Sequence, residues 1–145
     1  EESQKEEVKN KLIGIAKRNN AIDYIFFHGK KSVGSDLFQL YRDAQLFLLP
    51  SYYEGFPRTI WEAYANSLPV IASRVGSIPY FTSDRENILL VEPKDVSSLK
   101  NAMIELINNK NLRQKLILNG MELVKNVTLE KQSKNLIEKI GERLN

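Results

Sequence analysis

Two glutamates, Glu54 and Glu62, are separated by seven residues and sit in different local settings. Glu54 precedes Gly55-Phe56-Pro57, a turn-forming string. Glu62 falls about a turn and a half into a helical pattern that Pro57 is suited to open, because proline is tolerated where the amide has no intrahelical partner. Gly55 lets the backbone come close to a ligand. The free first-turn amides around Arg58, Thr59 and Ile60 point partial positive charge into the same space, which makes an anion site. A diphosphate is a natural guest there, with the Arg58 guanidinium and the Thr59 hydroxyl as further donors. Taken singly, each glutamate also fits an ordinary role: a helix cap or dipole partner for Glu54, a solvated surface group for Glu62.

The elements that must position these groups lie in the stretch Leu46 to Ser73, LFLLPSYYEGFPRTIWEAYANSLPVIAS. It reads as strand, loop, helix, strand, the repeating unit of a parallel sheet, with Glu54 at the carboxyl end of the first strand where such folds bind ligands. Upstream, Glu1 to Arg18 places Val8, Leu12, Ile15 and Ala16 at helical spacing, and Asn19-Asn20 ends that helix. Ile22, Tyr24, Ile25, Phe26 and Phe27 form a short apolar run closed by His28-Gly29, which predicts a strand buried on both faces. Ser35 or Asp36 caps a helix with Leu37, Leu40 and Tyr41 on one face, and Gln45 to Leu49 is the next strand.

Gly76-Ser77-Ile78-Pro79 reads as a loop and Asn87 to Glu92 as a further strand. From Asp95 the pattern is helical to the end, in three apolar stripes. Leu99, Met103, Leu106 and Ile107 make the first. Leu112, Leu116, Met121 and Val124 make the second, interrupted by Gly120, and Leu129, Leu136, Ile137 and Ile140 the third, opened by Thr128 as cap. The expected fold class is α/β: a Rossmann-like parallel sheet flanked by helices, in one domain over residues 1–145.

Composition narrows the chemistry. The 145 residues are 42 % apolar and 27 % charged, as in an ordinary globular domain. A balance of 21 basic against 18 acidic side chains gives a net charge of +3 and no reason to infer nucleic-acid binding. The absence of cysteine rules out disulfides, thiol nucleophiles and thiolate metal sites, and the single histidine cannot make a zinc site by itself. Carboxylates, hydroxyls, basic groups and backbone amides remain, so no metal and no cofactor is expected. Acyl or phosphoryl transfer would need a Ser-His, Cys-His or glycine-lysine loop arrangement that is not seen. No run approaches the roughly eighteen apolar residues of a membrane span, and a cytoplasmic location is expected.

Leu48-Leu49-Pro50-Ser51, Glu54-Gly55-Phe56-Pro57, Glu62-Ala63 and Leu68-Pro69-Val70-Ile71-Ala72-Ser73 together resemble the donor-binding, C-terminal domain of retaining GT-B glycosyltransferases, the glycosyl transferases group 1 family. The likeness continues through Phe26-Phe27-His28-Gly29, Val75-Gly76-Ser77-Ile78-Pro79 and Glu92-Pro93, and so covers most of the chain. It departs from the family pattern at Ser67, at Gly76-Ser77 in place of a double glycine, at Tyr80 after Pro79 and at Ile88.

The resemblance implies a nucleotide-diphosphate sugar as donor substrate and transfer of a hexosyl group with retention, in polysaccharide or glycoconjugate biosynthesis. It implies that Glu54 is catalytic, contacting the donor sugar near its reacting carbon. The backbone of Gly55, Phe56, Pro57, Arg58, Thr59 and Ile60 would hold sugar hydroxyls and diphosphate, Glu62 the ribose hydroxyls, and Lys30 with Lys31 would lie near the base. It also implies a partner N-terminal acceptor domain, the place of any peripheral membrane contact, and two strands between Phe27 and Gln45 in the sheet order that are not visible here. A non-catalytic nucleotide-sugar-binding subunit and a nucleotide-sugar 2-epimerase are the alternative functions. Among the remaining polar and aromatic residues, His28 and Arg74 are secondary candidates for base or phosphate contact, Tyr52 and Tyr53 for the wall of a sugar pocket, and Trp61 reads as core.

Overall fold

The computed structural model describes residues 2–144. Glu1, the expected first residue of the opening helix, and the side chain of Leu129 lie outside the described residues. The chain divides into two compact units, Glu1–Gly34 and Ser35–Asn145.

In the first unit, helix α1 (Glu2–Arg18) ends as its asparagines predict. Asn20 takes a left-handed φ of 53°, and the Ala21 amide reaches back to the Ala16 carbonyl at 2.9 Å, closing the last turn in a Schellman arrangement. The expected strand over Ile22 to Phe27 does not form. Ile22–Tyr24 is a 3-10 turn, Ile25 is extended, and the side chains of Tyr24 and Phe26 are 82 % and 74 % exposed. The physical reason is that an apolar run becomes a strand only with a neighbour to take its amides and carbonyls, and none of the described strands pairs with this one.

The second unit is the expected α/β arrangement. Strands β1 (Phe47–Leu49), β2 (Val70–Ser73) and β3 (Leu89–Val91) form a parallel sheet in that order, with Leu48 opposite Ile71 and Ala72 opposite Leu90. Helices α2 (Ser35–Asp43) and α3 (Arg58–Ala65) and the turn α4 (Ile78–Phe81) precede or link the strands. The segment expected as a loop at Gly76 to Pro79 therefore runs into one helical turn, begun by Ser77. Helices α5 (Val96–Asn108), α6 (Lys110–Asn126) and α7 (Leu129–Leu144) complete the chain.

Alternation along the strands sorts the core into two layers. Val70 and Ala72 join Tyr41, Ile60, Ala63 and Tyr64 on one face, while Ile71, Leu89 and Val91 join Leu106, Leu112 and Leu116 on the other. All four residues of β2 are buried, which is why its sequence is nearly all apolar. The helix starts are capped by Asp95 and Asn109, which accept from the Ser98 and Leu112 amides at 2.9 and 3.0 Å, and by Thr128, which accepts from Lys131 at 3.4 Å.

The helical stripes pack less completely than their spacing predicts. Leu106, Leu112 and Leu116 are buried, but Ile107, Leu136, Ile137 and Ile140 are exposed. Gly120 is no interruption: it lets α6 close on α3, since a Cβ there would stand 2.5 Å from the Tyr64 ring.

Candidate donor-binding site

The segment between β1 and α3 carries Glu54, and α3 carries Glu62; both side chains are half-buried. A hydroxyl orients each carboxylate. Ser51 Oγ donates to Glu54 Oε1 at 2.6 Å, and Tyr41 Oη donates from α2 to Glu62 Oε2 at 2.9 Å. Tyr41 is buried, and burial first, then the bond to Glu62 and its negative charge, push the phenol's pKa well above its ordinary value. It is therefore a permanent donor at any working pH.

The backbone at Glu54 is gripped by the turn after β2. Gly76, at a left-handed φ of 56°, lies against the Glu54 carbonyl, and the Ser77 amide donates to the Gly55 carbonyl at 3.3 Å with the Ser77 hydroxyl donating to the same oxygen. These contacts leave the Glu54 side chain on a fixed loop. The surroundings of the Gly55 α-carbon are open, with nothing within 4 Å of the point where a Cβ would stand, so that stretch of backbone is approachable.

Pro57 is the residue before the helix, at φ −74°, rather than its first member. It has no amide proton to offer, and it is buried. Ile60 is fully buried, and its amide donates to the Pro57 carbonyl at 3.3 Å, so the turn itself takes up that donor. Within the expected Gly55 to Ile60 set, the helix start thus presents the amides of Arg58 and Thr59, for which no hydrogen-bond partner occurs among the described residues. Both side chains are exposed. The Phe56 ring instead joins an aromatic cluster, 5.9 Å from Trp61 and 5.2 Å from Phe81.

Arg74 does not stand free for phosphate. Its guanidinium binds Glu92 at 3.2 Å and Asp84 at 3.4 Å, and Asp84 also accepts the Leu90 amide at 2.9 Å, so the trio ties β2 to β3 and the loop before it. Tyr52 and Tyr53 are exposed, with Lys94 Nζ 5.7 Å from the Tyr52 ring centre. Trp61 packs at the core edge, 4.9 Å from Phe81. Lys30, Lys31 and His28 belong to the first unit and are exposed there, His28 beside Lys9, Phe26 and Phe27.

Glu54 and Glu62 line neither of two cavities in the second unit. One of 200 Å³ opens at the strand ends among Pro50, Ser73, Glu92 and Lys94, and an apolar groove of 680 Å³ runs between Phe56, Trp61, Phe81 and Leu123. No three His, Asp or Glu side chains converge among the described residues. None of the described helices is long and apolar enough to cross a membrane.

Four contributors to this arrangement escape a reading of local pattern: Tyr41, Ser51, Gly76 and Ser77. Tyr41 carried the available signal, because a tyrosine on an apolar helix face needs a partner for its hydroxyl once buried.

The family model for glycosyl transferases group 1 matches residues 5–123. An uncharacterized glycosyltransferase of Methanocaldococcus jannaschii is 36 % identical over 121 residues, which are 83 % of this chain and 34 % of that protein. The crystal structure of the C-terminal domain of a glycosyl transferase group 1 family protein from Francisella tularensis superposes with a TM-score of 0.76 at 30 % identity, over 83 % of this chain and 62 % of that one. A structure of Anabaena HepE, solved in complex with UDP, shares the fold, with a TM-score of 0.84 at 19 % identity over 96 % of this chain and 38 % of that one. The chain spans about a third of the length, or less, of the curated relatives it matches. With the two glutamates, the parallel sheet and the family match in agreement, the chain belongs to the glycosyl transferases group 1 family.

Proposed function

We propose that the chain is the donor-binding C-terminal domain of a retaining GT-B glycosyltransferase, which moves a hexosyl group from a nucleotide-diphosphate sugar to an acceptor held by an N-terminal domain. The observation that carries this reading is the pair Glu54 and Glu62, each oriented by a hydroxyl, on either side of a helix start whose Arg58 and Thr59 amides are open. A ribose diol needs a charged acceptor, which Glu62 supplies. A departing diphosphate needs fixed positive dipoles as its charge develops, and the two amides with the Arg58 side chain and Thr59 hydroxyl supply those.

Glu54 positions the sugar and offsets oxocarbenium-like charge at its reacting carbon, and it is not assigned as a nucleophile. The bond from that carbon to the diphosphate oxygen breaks, a bond to the acceptor oxygen forms on the same face, and the acceptor's proton leaves with the diphosphate. The length relation to the curated relatives supports a two-domain whole.

Product analysis by NMR tests the reaction. The purified protein that carries this chain, given UDP-, GDP- and ADP-hexoses with candidate acceptors, is expected to yield a glycoside with the donor's anomeric configuration. An inverted product contradicts the reading. An epimerised nucleotide sugar formed without acceptor would mark a 2-epimerase, and binding without any product a non-catalytic subunit.

A further inference from the structure

We propose that Tyr41 is a positioning residue for nucleotide binding: its phenol, held in the core by α2, fixes the Glu62 carboxylate in the orientation that receives a ribose diol. The inference rests on the assignment of Glu62 to the ribose and goes beyond it by naming the group that makes Glu62 selective. Three observations carry it. The O–H of Tyr41 reaches Glu62 Oε2 at 2.9 Å across 21 residues of sequence, so the contact joins two helices rather than one. The ring has little freedom, being 7 % exposed, packed in the core cluster of Ile60, Ala63 and Val70, and 5.8 Å from the Phe47 ring. Glu62 itself is only half-buried, so a carboxylate tethered from the core side belongs to a side chain that still has surface open to a ligand.

The consequence for recognition is geometric. An ionised carboxylate has about four lone-pair positions, and a phenol that occupies one on Oε2 stops the group from rotating among equivalent orientations. Oε1 and the remaining lone pair of Oε2 are then presented to two neighbouring hydroxyls at once. A glutamate on an exposed helix face without such a tether would have to lose rotamer freedom on binding, which weakens a bidentate contact. The phenol cannot compete as a base, because burial and the adjacent carboxylate keep it protonated.

The test reads ribose discrimination, which a purely structural role of Tyr41 would leave alone. UDP, GDP and ADP are titrated calorimetrically into the protein, and the tightest of the three is compared with its 2′-deoxy counterpart in wild type, Tyr41→Phe, Glu62→Gln and the double variant. Wild type is expected to prefer the ribose form. Tyr41→Phe is expected to weaken the ribose form about 5- to 10-fold and the deoxy form less than about 2-fold, with no further loss of discrimination when Glu62→Gln is added.

Unchanged discrimination in Tyr41→Phe, with discrimination lost in Glu62→Gln, overturns the role of Tyr41 and spares that of Glu62. Unchanged discrimination in Glu62→Gln overturns the assignment of Glu62 itself. Should Tyr41→Phe fail to fold, wild-type NMR decides the matter. The Tyr41 hydroxyl proton, shielded and bonded to a carboxylate, is expected to exchange slowly and to shift on addition of the nucleotide, and a resonance indifferent to the nucleotide contradicts the proposal.

Discussion

Gly76 packs its α-carbon against the carbonyl group of Glu54. A methyl group on Gly76 would overlap that carbonyl oxygen and stand 2.7 Å from the carbonyl carbon, and the residue's φ of 56° would strain any other side chain as well. The turn after β2 thus sets the height of the loop that carries the first glutamate. Gly76→Ala is expected to cost about 2 kcal/mol or more in stability, from left-handed strain and overlap together, and to weaken donor binding in the fraction that still folds. Thermal melting and nucleotide titration of the same preparation check both parts.

Ser51 acts on the Glu54 side chain where Gly76 acts on its backbone. Removing the 2.6 Å bond by Ser51→Ala frees the carboxylate without touching the helix start proposed to hold the diphosphate. Turnover is expected to fall about tenfold while affinity for the free nucleoside diphosphate changes less than about twofold. Initial rates with a nucleotide sugar, set beside calorimetry with the diphosphate, separate the two.

Behind the site, Tyr64 is buried with a hydroxyl that has no hydrogen-bond partner among the described residues, and burial alone pushes its pKa up. Tyr64→Phe is therefore expected to be neutral or to stabilise by about 1 kcal/mol, because it removes an uncompensated desolvation and keeps the ring on Gly120. Gly120→Ala drives a methyl into the same ring and is expected to destabilise by about 1–3 kcal/mol. Urea unfolding of the two variants should give shifts of opposite sign or, for Tyr64→Phe, none.

The ion pair of Arg85 with Glu105 has a pH signature. The guanidinium's hydrogen bonds and charge hold the Glu105 carboxyl below the usual glutamate range and raise Arg85 in turn. A depressed carboxyl contributes stability above its unfolded pKa of about 4.3 and loses it as pH falls through the folded value. Arg85 is exposed and Glu105 half-buried, so solvent screens the pair and the contribution is about 0.5 kcal/mol or less. The difference in unfolding free energy between wild type and Glu105→Gln is expected to be present at pH 7 and to shrink as pH falls through the depressed folded pKa.

Much of this was legible from short windows. Val70 to Ser73 reads as a strand because a sheet covered on both faces needs apolar residues at every position, and Asn20, Asp95 and Thr128 mark helix ends because their side chains or backbones do so locally. Glu54 and Glu62 stand out by type and spacing. What stayed hidden depends on partners far along the chain. Tyr24 to Phe27 carries the composition of a strand, yet pairing is a property of two segments, and no described strand accepts it. Gly76 looks like any turn glycine until Glu54 is placed beside it, and Tyr41 looks like an apolar face residue until α3 brings Glu62 to its hydroxyl. Ile107, Leu136 and Ile140 keep helical spacing without a surface to bury against.

Calorimetric titration of UDP, GDP and ADP into the purified protein, repeated with Glu62→Ala, bears most directly on the proposed donor site. One of the three diphosphates is expected to bind the wild type, and Glu62→Ala to weaken it by about tenfold or more while the variant, which loses the partner of the buried Tyr41 hydroxyl, still melts cooperatively. Absence of binding by all three, or an affinity that Glu62→Ala leaves unchanged, would contradict the assignment of this loop and helix as the place where the nucleotide is held.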